Sequence, residues 1–264
     1  MEVGPLSAQS GDILVVVPTL GERTSKLQQA VESVRNQGDG VHLVVVVPPR
    51  KKNARAIAKN SGATVVDDPG RGMSSAINAG LNARTTEEFY MWLGDDDAYR
   101  PGAIRTLRSL LHSRPHAVVA YGACDYVNNQ SDIIWTSTAG RLARWLIGIG
   151  PNLIPHPAAM IRLDALDAIG GYDEDLSLAM DLDIFLKLRK RGSFVSTRQV
   201  VSQFGWHPES LTVQDRKRSS AEARLVKRRH LPSWAKPLEP IWEFPVQWAS
   251  GLAARSLNRP GPRR

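Results

Sequence analysis

The sequence predicts an α/β fold built on a mainly parallel sheet, and three observations carry that prediction. Apolar, β-branched runs alternate with stretches of helical periodicity through the first part of the chain. The runs are continuous rather than alternating apolar and polar, as in strands buried on both faces. Each run ends in a polar or proline-containing cluster, at the sheet edge where ligands of such folds bind.

Ile13-Leu-Val-Val-Val17 is the first strand and stops at Pro18-Thr19. Residues 25–37 follow as a helix, with Leu27, Ala30, Val31 and Val34 on one face. Val41 to Val47 is the second strand, cut off by Pro48-Pro49, and a Lys/Arg/Ala-rich helix covers about 51–60. Ala63-Thr-Val-Val66 is the third strand. Residues 70–83 resume helical spacing through Ala76, Ile77 and Leu81. Phe89 to Leu93 is the fourth strand, ending at Gly94-Asp-Asp-Asp97.

The later part is less regular. Pro101 is placed to open a helix at its first position, running to about His112. Residues 117–121 and 158–161 read as strands, and Val195 begins a last one. Residues 139–149 read as an amphipathic helix with Leu142, Trp145, Leu146 and Ile149 on its apolar side. A helix covers about 181–191 and a basic one 217–230.

The chain has 264 residues, enough for one large domain with an appendage, and its single Cys124 excludes both an internal disulfide and a multi-cysteine zinc site. No apolar run approaches the roughly 20 residues that span a bilayer, and no signal peptide is visible, so a cytoplasmic location is expected. The formal charge of +8 is unevenly spread: residues 1–214 hold equal numbers of acidic and basic side chains, and residues 215–264 carry the whole excess. A nucleic-acid binder would carry positive charge on its folded body as well. The expected organisation is a disordered 1–11, a body over 12–214, and a basic, Trp-containing helical tail over 215–264. Trp234, Trp242, Phe244 and Trp248 either pack on the body as a lid or sit at an anionic membrane surface, peripheral at the inner face of the plasma membrane.

Asp95-Asp96-Asp97 is the strongest chemical signal. Three adjacent carboxylates repel one another, and a hard divalent cation relieves that repulsion through oxygen ligands. Mg²⁺ or Mn²⁺ typically takes one or two protein carboxylates and fills its other sites with phosphate oxygens and water. An acidic triplet at the end of a buried strand therefore reads as a metal–diphosphate site. The alternative is a solvated acidic turn capping the helix that follows.

These residues, taken in order, resemble the inverting glycosyltransferases of family 2. The resemblance is carried by Ile13 to Leu20, by Arg71-Gly-Met-Ser-Ser-Ala-Ile-Asn-Ala-Gly80, and by Met91 to Asp97 with Pro101-Gly102. His156 to Arg162 with Gly170-Gly-Tyr-Asp173, Asp181 to Arg189, and Trp206-His-Pro-Glu-Ser-Leu-Thr212 complete it. It implies the GT-A fold, a Rossmann-like three-layer α/β/α sandwich, with a donor half over about 12–100 and an acceptor half over about 101–214. It further implies sugar transfer from a nucleotide-diphosphate donor to a hydroxyl acceptor: a glycan, a polysaccharide or a lipid-linked intermediate of the cell envelope. Asp97, Asp95 and His207 then hold Mn²⁺ or Mg²⁺, with Asp95 or Asp96 facing the ribose. Pro18, Thr19, Leu20, Glu22, Asp68, Arg71 and Asn78 line the donor pocket. His156, Gly171 and Tyr172 belong to the acceptor side, and Asp181 is the general base, against the alternative of a helix N-cap. Asp183, four residues before Lys187, reads as one half of a surface ion pair.

The match breaks where the family has a base-reading Asp after the second strand. Here Pro48-Pro-Arg-Lys-Lys-Asn53 stands, so either base recognition differs or Asp67 or Asp68 must compensate. Met180 replaces the family's Glu before the catalytic Asp. Two other functions compete. A sugar nucleotidyltransferase needs a longer, basic loop than Gly21-Glu22-Arg23 after the first strand. A non-catalytic relative acting as a membrane or partner-binding protein would have no use for both the acid triplet and Asp181.

Overall fold

The computed structural model describes residues 12–206, apart from 39, 139, 141, 142 and 151, and residues 216–238. Within these, β1 (Ile13–Pro18), β2 (Val41–Val47), β3 (Thr64–Asp67) and β4 (Phe89–Trp92) form as the apolar runs predict. They pair in parallel in the order β3-β2-β1-β4, with Val16 opposite Val44 and Trp92. Beyond β4 the sheet is mixed. β8 (Ala159–Arg162) runs antiparallel between β4 and β6 (Ala117–Val127), and β9 (Ser193–Gly205) lies parallel to β6. A two-residue β5 (Ala98–Tyr99) and an edge strand β7 (Ile133–Ser137) complete it.

The continuous apolar runs are needed because both faces of the sheet are covered. Leu14, Val16, Val44, Val46, Tyr90 and Trp92 face one layer. It is built from α3 (Met73–Leu81), α6 (Leu163–Asp167), α7 (Met180–Leu188) and α8 (Arg216–His230). Ile13, Val15, Val17, Val45 and Met91 face the other, formed by α1 (Thr24–Arg35), α2 (Lys52–Asn60) and α4 (Ala103–His112). Each such side chain contributes about 2 kcal/mol by leaving water. The expected three-layer sandwich is therefore present. Gly80 lets α3 lie directly on the sheet, since a Cβ there would collide with the side chain of Val16.

Several boundaries differ from expectation. The helix expected from residue 70 starts at Met73, because Gly72 has φ +105° and cannot belong to it. Pro101 does not open α4; Gly102, in the left-handed region, stands before Ala103. Among the described residues, the helix expected over 139–149 is present as α5 (Ala143–Leu146), and Trp145, Leu146 and Ile149 are exposed rather than packed. Leu142 lies outside the described residues.

The basic helix α8 packs on α7. Val226 is buried in the core, Arg229 pairs with Asp173 at 3.0 Å, and Glu222 accepts backbone N–H groups from Ser177 and Leu178. After it, a 3-10 turn (Ser233–Leu238) buries Ala235 and leaves Trp234 75% exposed. Residues 1–11 and Trp242, Phe244 and Trp248 lie outside the described residues. Among the described residues no helix is long and apolar enough to cross a membrane.

Candidate active site

Parallel register brings the carboxyl ends of β1, β2 and β4 to one edge of the sheet. Thr19 follows β1, where its N–H donates to Val46, and Leu93 donates to Val16 across the neighbouring ladder. The acid triplet therefore starts beside the first strand's end, and Thr19 Oγ1 donates to Asp95 Oδ2 at 2.5 Å. Arg23, just before α1, reaches over the same edge. It donates to Asp95 at 2.6 Å and to Asp96 at 2.7 Å.

Asp97 is buried at the centre of this turn. Its oxygens accept from the N–H groups of Gly205 at 2.9 Å and Gly94 at 3.3 Å. Both glycines are required: a Cβ on Gly94 would stand 2.8 Å from Asp97 Oδ2, and one on Gly205 would stand 2.9 Å from the Asp96 carbonyl. Burial, followed by the negative charge of Asp96, lifts Asp97 well above the usual carboxylate range. Burial also raises Asp95, against the hydrogen bond from Thr19 and the charge of Arg23.

Among the described residues no three His, Cys, Asp or Glu side chains converge on one point as a closed metal cage. Mg²⁺ and Mn²⁺ need fewer protein ligands when phosphates supply the rest. The donor chemistry fits such an ion. Asp97 presents two oxygens that each receive a single backbone N–H, and three carboxylates crowd one turn with more negative charge than Arg23 balances. Asp95 already spends both oxygens on Thr19 and Arg23, which makes Asp97 the better-placed ligand. His207 lies outside the described residues.

The other donor-side candidates are placed unequally. Pro18 is buried at the end of β1, Leu20 is exposed at the rim, and Glu22 pairs with Lys51. Asp67 pairs with Arg55 at 2.5 Å, whereas Asp68 accepts from the Gly70 N–H at the neighbouring turn, at 2.9 Å. Arg71 is exposed and pairs with Glu174 at 3.2 Å rather than turning to the acid edge. Asn78 spends its amide on the main chain of Tyr172, donating at 2.9 Å to its carbonyl and accepting at 3.1 Å from its N–H. It ties α3 to the Gly171–Tyr172 turn, where Gly171 takes φ +70°.

Asp181 is the second residue of α7; Ala179 holds the N-cap, so the capping role is excluded. The Asp181 side chain is 27% exposed, yet Oδ1 is sealed from solvent without a hydrogen-bond partner. It faces the buried His156, whose Nε2 stands 3.7 Å away. Burial alone pushes Asp181 up to about 7. Burial lowers His156 to about 3, so its imidazole is neutral. Tyr172 and Trp92 both touch the same Nε2 at 2.7 Å. Asp181 is thus a carboxylate half open to a ligand and walled by uncharged rings, well suited to accept a proton near neutral pH.

Asp183 departs from expectation. It does pair with Lys187 at 2.7 Å, but it is buried rather than superficial and also bonds His230 of α8 at 2.9 Å. Burial would raise it, and the hydrogen bonds from His230 and Lys187 overcome that and hold it below the usual range. The sequence reading missed Arg23, Trp92 and Gly205. Trp92 had a usable signal, since it shares a strand face with Tyr90 one step before the acid turn. Arg23 and Gly205 had none, because their partners lie far along the chain.

The sequence profile described as Glycosyl transferase family 2 matches residues 14–170. No curated protein matches the chain. Among solved structures it is similar to the mannosyltransferase PcManGT from Pyrobaculum calidifontis in complex with GDP-Man and Mn²⁺. That match has 17% identity and a TM-score of 0.65, over 97% of this chain and 78% of that one. It is also similar to S. aureus TarS 1-349 in complex with UDP-GlcNAc, at 14% identity and a TM-score of 0.64, over 85% and 69% of the two chains. In two further TarS structures this chain spans 65% and 39% of the TarS chain. At such identities the likeness is one of fold, and the GT-A expectation is borne out.

Proposed function

Because this chain belongs to glycosyl transferase family 2, a family of glycosyltransferases, we propose that it transfers a sugar from a nucleotide-diphosphate donor to a hydroxyl acceptor with inversion at the anomeric carbon. The observation that carries this reading is the bond from Thr19 to Asp95, which gathers the β1 end and the acid triplet into one edge. The donors held by the similar structures, UDP-GlcNAc and GDP-Man, support a nucleotide sugar here.

Thr19, Leu20 and Asp68 line the nucleotide side, and Asp96 faces the ribose. Asp97, with Asp95, would hold a divalent cation, which when bound offsets the charge that develops on the departing diphosphate. The acceptor oxygen attacks the anomeric carbon from the face opposite the leaving group. The bond from that carbon to the diphosphate oxygen breaks, its electrons leave with the nucleoside diphosphate, and the hydroxyl proton passes to Asp181. His156, Gly171 and Tyr172 form the wall behind this base on the acceptor side. The cationic excess of residues 215–264 supports docking at an anionic membrane surface, where a lipid-linked acceptor would be met.

The test is thermal unfolding with UDP and GDP, each with and without Mn²⁺. A ligand that binds only the folded form at 100 times its Kd stabilises by about 2.7 kcal/mol. One of the two diphosphates should raise Tm in the presence of Mn²⁺, and Asp97→Ala should abolish that increment. An equal rise in the variant would overturn the metal role, and no rise with any nucleoside diphosphate would overturn the donor class.

A further inference from the structure

Beneath Asp181 lies a buried polar knot. His156 Nε2 stands 2.7 Å from the Trp92 indole nitrogen and 2.7 Å from the Tyr172 hydroxyl. Tyr90 approaches the Tyr172 hydroxyl at 3.5 Å. Trp92 and Phe185 flank the imidazole, with ring centroids 4.7 Å and 5.6 Å from its own. Among the described residues, the groups beside Asp181 are His156 from the turn before β8, and Tyr90 of β4 and Tyr172 from the turn after α6, whose hydroxyls feel its charge; Trp92 of β4 reaches it through His156. None is charged at neutral pH. Asp183 and Lys187 of α7 form a separate cluster with His230 of α8.

The protonation of His156 follows from its partners. An indole N–H can only donate. A proton on Nε2 would set two N–H groups head to head at 2.7 Å, so Nε2 accepts and the imidazole proton sits on Nδ1. Nδ1 is buried and has no hydrogen-bond partner among the described residues. An orphaned buried donor costs about 1–3 kcal/mol, and such a cost in a native structure calls for a reason. The reason lies on the other side of the ring. With Nε2 held as an acceptor, His156 has no proton to offer Asp181 Oδ1, the sealed oxygen 3.7 Å away.

We propose that Trp92 is a positioning residue for Asp181: its indole N–H fixes His156 as the neutral Nδ1–H tautomer and so withholds from Asp181 the hydrogen bond that would weaken it as a base. This deepens the reading of Asp181 as the general base and rests on it. A carboxylate that accepts a hydrogen bond from a neighbour becomes less basic. Removing the indole N–H frees Nε2 to carry a proton, and a small rotation brings it to Oδ1.

The test reads Asp181 directly in the full-length protein. Aspartate is labelled with ¹³C at the carboxyl carbon, and the Asp181 resonance is the one lost in Asp181→Asn. In the wild type its titration midpoint is expected near 7. Trp92→Phe keeps a ring in the core and should move the midpoint down by at least one pH unit. The Trp92→Phe, His156→Phe double variant, with the imidazole donor gone, should bring it back up. An unchanged midpoint in a folded Trp92→Phe protein overturns the proposal, as does failure of the double variant to restore it. If Trp92→Phe does not fold, ¹⁵N spectra of the wild-type imidazole decide: a proton on Nε2 overturns the proposal and a proton on Nδ1 supports it. Turnover is measured separately, since wild-type transfer rates in Asp181→Asn would overturn the base assignment without touching these titrations.

Discussion

Two sets of aspartates hold raised proton affinities for different reasons. At the end of β4, Asp95 and Asp97 are raised by burial within a crowd of like charges, with Thr19, Arg23 and backbone N–H groups supplying partial relief. At the start of α7, Asp181 is raised by burial alone, against neutral rings, with no donor on its sealed oxygen. The first arrangement is unsatisfied in a way that a cation mends. The second is unsatisfied in a way that only a proton mends. The proposed roles, a turn that gathers cations and diphosphates and a base that takes a hydroxyl proton, call for these two opposite kinds of strain.

The sharpest break in this comparison is Asp181→Asn. It should lower sugar transfer by about 10²–10⁴, the usual contribution of a general base, while leaving Mn²⁺-dependent binding of the nucleoside diphosphate as in the wild type. If Asp181 is the proposed base, wild-type activity should rise with pH through about 7, because a base acts as the ionised carboxylate. Stability should move the opposite way. A carboxyl raised in the folded state binds its proton more tightly there than in the unfolded chain. Ionisation therefore costs stability, starting near the unfolded value of 3.8 and ending near 7. The Asn variant should match the wild type near pH 4 and gain on the order of 1 kcal/mol per pH unit up to neutrality. Thermal melts at pH 4, 5.5 and 8 check this, and a gain that is flat with pH would contradict burial as the cause.

A weaker effect is expected on the crowded side. Arg23 is the resident cation of Asp95 and Asp96 but is substantially exposed, so Arg23→Ala should change stability by less than about 1 kcal/mol. It should instead strengthen Mn²⁺ binding in the absence of nucleotide by severalfold, since the metal no longer competes with a guanidinium for the same carboxylates. The paramagnetic resonance signal of free Mn²⁺ reads this directly. Weaker binding in the variant would mean that Arg23 shapes the turn rather than occupying it.

The two regions were not equally legible in the sequence. β1, β2 and β4 are local signals, and parallel pairing alone sends Thr19 and Asp95 to one edge, so the acid site could be read from spacing. The neutral wall around Asp181 comes from β4, the turn before β8 and the turn after α6. No local pattern announces that Trp92, His156 and Tyr172 meet. Asp183 illustrates the limit: its i,i+4 partner was visible, but its burial and its bond to His230, 47 residues on, were not. β7 escaped notice because an exposed edge strand shows no buried face, and β5 because two residues have no period. Asn78 and Arg71 were assigned to the donor by their helix, and it is contacts with Tyr172 and Glu174 that claim them.

The smallest effect tests how far the base side depends on the C-terminal helix. Glu222 of α8 accepts the N–H groups of Ser177 at 2.5 Å and Leu178 at 2.9 Å, just before α7 begins. A carboxylate bonded to free N–H groups ahead of a helix favours the helix and fixes the chain entering it. Glu222→Gln keeps the shape and removes the charge, which should cost about 1 kcal/mol. The amide hydrogens of Ser177 and Leu178 should then exchange about fivefold faster with solvent, since each 1.4 kcal/mol is a factor of ten in the opening equilibrium. Exchange at Gly94 and Gly205, whose N–H groups hold Asp97, should not change. Faster exchange at both places would mean that α8 braces the whole sheet edge. Faster exchange at Ser177 and Leu178 alone would mean that the cationic helix reports to the base and not to the metal turn, so that whatever α8 meets outside the body is felt first by Asp181.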